Sequence, residues 1–150
     1  MLFQRINRTD PEKVFVIVKN VWSTASLSNG QCVAWDYVTE ADGISVTKCS
    51  ASANGLGAQF GGIITQTIAD DDYGLMQVYG HHTAIRARTT TGGAPAIAKG
   101  TGLAPPLTAL FCMESVPVTG TKANCMVYGI AGAANATYTT AAIAGFIRAM

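Results

Sequence analysis

The side chains of this 150-residue chain that could do chemistry are few, and their spacing does not assemble a reaction centre. His81 and His82 are the only histidines. Neighbouring residues of a strand point to opposite faces, so the two imidazoles cannot easily ligate one metal and at most one enters any given pocket. A general acid or base also needs a partner held within hydrogen-bond reach, and the chain contains no Gly-x-Ser-x-Gly elbow. Asp70-Asp71-Asp72 sets three carboxylates side by side. A calcium loop spaces its oxygens at alternate positions and closes with a bidentate Glu, whereas the next Glu here is Glu114. The run reads as a solvated turn, its Asp side chains bonding their own backbone and Gly74 supplying positive φ.

Cys32, Cys49, Cys112 and Cys125 show no Cys-x-x-Cys spacing and stand among apolar or strand-forming neighbours, so they read as buried thiols. Gly55-Leu-Gly-Ala-Gln-Phe-Gly61 places its third Gly one residue late for a dinucleotide loop and has no strand-to-helix context; a flexible loop is expected. Asn7-Arg-Thr and Asn135-Ala-Thr are glycosylation sequons in spelling only. No catalytic, cofactor-binding or metal-ligating residue emerges, and a non-enzymatic protein is expected.

The elements that would carry these residues are strands. Lys13-Val-Phe-Val-Ile-Val-Lys19 is β-branched and bounded by Lys at both ends. Further strands are expected over Gln31 to Val38, Gly43 to Cys49, Gly61 to Ile68, Tyr73 to Gly80, Thr83 to Thr89, Ala96 to Lys99, Thr108 to Glu114, Asn124 to Ile130 and Ile143 to Arg148. Gly, Asn, Asp and Pro separate them, and no amphipathic helix of ordinary length is evident. In the first strand of the central hairpin Ile63 falls on one face and Ile64 and Ile68 on the other; in the second, Leu75 alternates with Met76 and Val78. A strand apolar on both sides must be covered twice, by the domain's own core and by a loop, another strand or another subunit. The expected organisation is an arm over residues 1–12 and one all-β domain, a small barrel or sandwich, over residues 13–150.

Tyr73-Gly-Leu-Met-Gln-Val-Tyr-Gly80, following Gly61-Gly-Ile-Ile-Thr-Gln-Thr-Ile-Ala69, together with Ala96-Ile-Ala-Lys-Gly-Thr-Gly102 and the ending Ala144-Gly-Phe-Ile-Arg-Ala-Met150, resembles the head decoration (cement) proteins of tailed bacteriophages. Leu75 stands where that family often has Trp. The resemblance implies a small all-β, tulip-like domain that assembles as a homotrimer on the outer capsid surface near three-fold axes. There it would bind the major capsid protein and lock neighbouring capsomers together.

Bulk properties agree with assembly. Only 13% of residues are charged and 49% are hydrophobic, with 10 Lys and Arg against 9 Asp and Glu. The basic residues are scattered and form no stripe, which argues against nucleic acid. No apolar run is long enough to cross a membrane as a helix, and none near the start suits a signal-peptide core, so folding in the host cytoplasm is expected. A mean hydropathy of +0.26 with so little charge implies that surface usually given to water goes to protein contacts, self-association foremost. The candidate contacts with a partner subunit or the shell are Leu2, Phe3, Arg5, Ile6 and Arg8 of the arm and Trp22 at a loop entrance. Two alternative roles remain open. One is a glycan-binding or adhesive module of a virion, with Trp22, Tyr37 or Tyr138 as stacking platforms; the other is a minor head or fibre-attachment subunit.

Overall fold

The computed structural model describes residues 12–22, 25–38, 40, 42–49, 60–88, 97, 99–105, 113–115, 127–129 and 141–149. Nine strands lie within them: β1 (Lys13–Asn20), β2 (Cys32–Trp35), β3 (Ser45–Lys48), β4 (Phe60–Ile64), β5 (Tyr73–Arg88), β6 (Gly102–Ala104), β7 (Met113–Ser115), β8 (Val127–Gly129) and β9 (Ala141–Arg148). They form one mixed sheet in the order β1-β3-β2-β4-β5-β7-β6-β8-β9. The β1–β3 and β5–β7 pairs are parallel and the others antiparallel. The chain is therefore a small all-β domain, as its turn-punctuated strands predict. Residues 1–11 of the expected arm, with Leu2, Phe3, Arg5, Ile6 and Arg8, fall outside the described residues.

Strand β5 organises the sheet. It spans 16 residues and pairs additionally with β1 and β9, so the ladder closes on itself twice through one shared strand. Residues Tyr73 to Gly80 pair with β1 and residues Tyr79 to Ala87 with β9. Met76 and Gln77 meet β4, and Ala87 and Arg88 meet β7. A strand has two hydrogen-bonding edges, so β4 and β9 occupy one edge in succession while β1 and β7 occupy the other. The sequence divides this element at Gly80. The structure instead carries the strand straight through, because Gly80 adopts a φ of 100° that absorbs the irregularity without ending the ladder.

Two apolar clusters fill the two halves. Val18, Leu27, Val33, Val46, Ile64, Ile68, Met76 and Val78 form one. Cys32, Ala34, Cys49, Phe60, Ile63, Ile85, Ala87, Ile97, Leu103, Val127, Ile143 and Ile147 form the other. Period-two alternation splits β2 and β4 between them: Cys32 and Ala34 face one cluster and Val33 the other, as do Ile63 and Ile64. The double apolar character of β4 is thus satisfied within the chain. In β5 the inward positions change from even (Met76, Val78) to odd (Ile85, Ala87), and the register against β9 slips between His82 and Ile85. An extra residue in a ladder exchanges the two faces, which lets one strand serve both cores.

Several boundaries differ from those expected. Strand β4 begins at Phe60, inside the segment read as a loop, and ends at Ile64, leaving Ile68 as a single bridge to Leu27. Strand β6 lies just after the segment expected over Ala96 to Lys99. In the acidic turn the positive φ, 62°, belongs to Asp71 and not to Gly74. Gly74 is needed for space: a Cβ there would sit 2.5 Å from the Ile68 side chain. Cys32 and Cys49 are buried thiols as expected, while Cys112 and Cys125 lie outside the described residues.

Candidate interaction surface

Among the described residues, the outer face of β1 and the first half of β5 carries most of the large apolar groups left uncovered. Phe15, Ile17, Tyr73 and Leu75 are 44%, 67%, 59% and 39% exposed, while their alternates Val18 and Met76 are fully buried. The register sets Phe15 opposite Gln77, Ile17 opposite Leu75 and Lys19 opposite Tyr73. Directly opposed residues bring their Cβ atoms within about 5 Å, so these side chains form one continuous strip. Ile44, also exposed, joins its edge, because the Lys19 N–H donates to the Ile44 carbonyl at 3.1 Å. Tyr37 and Val38 are exposed beyond the end of β2.

One end of the strip is acidic. Lys19 Nζ pairs with Asp71 at 2.6 Å, and that hydrogen bond raises the lysine pKa above its ordinary value; desolvation opposes it, and the Asp71, Glu40 and Tyr73 charges add to it. Asp42 accepts from the backbone N–H groups of Ile44 and Ser45, which holds its carboxyl below the usual range. Asn20, fully buried, locks this end of β1. Its Nδ2 donates to the carbonyls of Ala25, Ile68 and Ala69 at 3.0, 3.2 and 3.1 Å, and its Oδ1 accepts from the Trp22 N–H at 3.0 Å.

The other end of the strip opens into a polar groove of about 220 Å³ lined by Lys13, Phe15, Asn29, Thr65, Gln77, His82 and Thr83. Gln77 and His82 are 2% and 7% exposed. The Gln77 amide nitrogen donates to the carbonyls of Tyr79 and His81 at 3.0 and 3.1 Å, satisfying backbone acceptors on either side of Gly80. His82 Nδ1 accepts from the Ala84 N–H at 3.1 Å. Burial first, then the charge of Lys13 and the neighbouring His81, pushes the His82 pKa below its ordinary value, so the ring is neutral near pH 7. His81 is half-buried and His82 buried, the unequal environments that alternation gives adjacent strand residues.

Trp22 is half-buried, with Lys48 Nζ 5.0 Å from its ring centroid, so a cation covers one face of the ring. Tyr138 lies outside the described residues. Among the described residues no group of three or more His, Cys, Asp or Glu could hold a metal ion. The strip itself escapes a reading of the sequence: Val14 to Val18 is apolar throughout, and nothing in it marks Phe15 and Ile17 as the outward pair.

The architecture is that of a small all-β domain whose mixed sheet closes twice through a common strand. No protein-family model matches the chain, and no curated protein matches it in sequence. In fold it is similar to the head fibre gp8.5 N base of bacteriophage phi29, with a TM-score of 0.50 and 10% identity over 92% of this chain and 96% of that chain.

Proposed function

We propose that this protein is a non-enzymatic structural component of a phage head. It assembles with copies of itself as a homotrimer and binds the outer surface of the capsid near three-fold axes, where it strengthens contacts between capsomers. The observation that carries the reading is the exposed strip of Phe15, Ile17, Tyr73 and Leu75 on a chain with only 13% charged residues, an apolar area that favours a protein partner over water. The fold shared with a phage head fibre base supports a head-associated role, and the sequence resemblance to decoration proteins supports the cement form of it. Burial at roughly 25 cal/mol per Å² over many such contacts would stabilise a shell without any single strong site.

The test compares particles with and without the protein. Loss of it is expected to lower the temperature or osmotic shock at which heads rupture, and heads of equal stability would remove the cement role. The fold of the structural neighbour also favours a second reading, a fibre-attachment subunit. Copy number per particle separates the two, because a cement protein covers the whole shell and a fibre base occupies a limited set of positions.

A further inference from the structure

The groove at the basic end of the strip has features that a packing defect lacks. Its volume of about 220 Å³ is roughly seven times the share of one water in the liquid, too large for a bridging water and suited to a single small ring. Two of its lining side chains are more than nine-tenths buried yet incompletely bonded. Only the amide nitrogen of Gln77 can donate to two carbonyls, which fixes the orientation of the amide and leaves Oε1 as an acceptor with no partner among the described residues. His82 Nδ1 already accepts a backbone N–H, so the neutral ring carries its proton on Nε2, a donor that also has no partner among the described residues. A buried donor and a buried acceptor left without partners each cost stability, and a ligand carrying both complements would recover it.

The remaining lining defines the ligand further. Phe15 offers a partly exposed aromatic ring at the wall, and Asn29, Thr83 and Lys13 supply donors and hydroxyl or amide acceptors around the rim. An aromatic platform beside clustered, mostly uncharged polar groups suits a ring that is apolar on its faces and hydroxylated at its edge. We propose that this groove is a saccharide subsite that takes one pyranose ring stacked on Phe15, with an acetamido substituent matched to His82 Nε2–H and Gln77 Oε1. The acetamido carbonyl accepts from the imidazole and its N–H donates to the glutamine, so both orphaned groups are paired by one substituent. This inference does not rest on the head-assembly reading, since sugar binding is read from shifts at the groove and the cement role from the stability of particles.

The test is a titration of the ¹⁵N-labelled full chain, followed by NMR, with N-acetylglucosamine, N-acetylgalactosamine, glucose and galactose as probes. Saturable millimolar binding is expected for an acetamido sugar, with shifts at the amides of Phe15, Gln77, His82 and Thr83. The parent hexoses should bind at least about tenfold more weakly, because they leave the buried pair unsatisfied. Phe15→Ala should weaken binding by about tenfold while the spectrum stays dispersed, Thr83→Ala should weaken it by a smaller factor, and Val38→Ala should leave it unchanged. The proposal is overturned if none of the probes produces saturable shifts, if the shifts map away from the groove, if parent and acetamido sugars bind equally, or if Phe15→Ala leaves the affinity unchanged.

Discussion

Replacing Ile17 with Ser tests whether the β1–β5 strip is where copies of this chain meet. Ile17 is the most exposed member of the strip at 67%. Burying an isoleucine fully contributes about 1.5–3 kcal/mol, so two-thirds of that, about 1–2 kcal/mol, is available at each contact. In the proposed homotrimer, three equivalent contacts in a ring would supply about 3–6 kcal/mol, and Ile17→Ser would therefore lower its association constant by roughly a hundredfold to ten-thousandfold. Leu75, only 39% exposed, has less left to bury, and Leu75→Ser should lose about 0.6–1.2 kcal/mol per contact. The fold itself should persist, since Ile17 holds its place through backbone pairing with Leu75 and its side chain lies outside both cores. Sedimentation equilibrium across a range of concentrations reads the assembly, and circular dichroism checks the fold. Unchanged association in Ile17→Ser, or a larger effect of Leu75→Ser than of Ile17→Ser, would refute the argument that this strip is the contact.

Four further outcomes concern the frame behind the strip. Asn20→Ala removes four hydrogen bonds at a fully buried position and should destabilise the fold by about 3 kcal/mol. In a chain of this length that is a fall of about 6–12 °C in Tm at fixed protein concentration, read by calorimetry. Gly80→Ala forces a Cβ into φ 100° and to within 2.0 Å of the Glu12 carbonyl, for a loss of about 2–4 kcal/mol in denaturant unfolding. Gly43→Ala, at φ 74° with nothing within 4 Å, should cost only about 1 kcal/mol. His82 has a folded-state pKa below its unfolded value, so above the ordinary histidine pKa both states are neutral and its ionisation leaves stability unaffected. As pH falls from about 7 to 5, the unfolded chain takes up the proton more readily and stability declines. His82→Gln should flatten that part of the stability–pH curve; an unchanged slope would show that His82 is not its source.

Much of the architecture is legible in residue order because strands and turns are local. The β-branched run at Val14 to Val18, the alternation at Leu75 to Val78, and the Asp and Gly punctuation identify all-β structure without reference to distant residues. The buried state of Cys32 follows from its apolar neighbours, and that of Cys49 from its place at the end of a strand-forming run, in the same way. The discounting of a Rossmann loop or paired-histidine metal site likewise needs only spacing and the alternation of a strand.

What the tertiary structure alone decides is where each face goes. Val14 to Val18 is apolar on both sides, so its sequence is equally compatible with Phe15 and Ile17 inside or outside; pairing with β5 on one edge and β3 on the other settles it. The division of β5 between two cores depends on the Gly80 conformation and on a slip against β9, a strand distant in sequence, between His82 and Ile85. Gln77 and His82 line one groove because the register against β1 slips between them, Val14 facing Tyr79 while Phe15 faces Gln77. Alternation along an unbroken strand would place residues 77 and 82 on opposite faces. Local chemistry determines which segments extend, whereas non-local hydrogen bonding and close packing determine which of their two sides meets water, because an extended chain has no intrinsic preference between its faces.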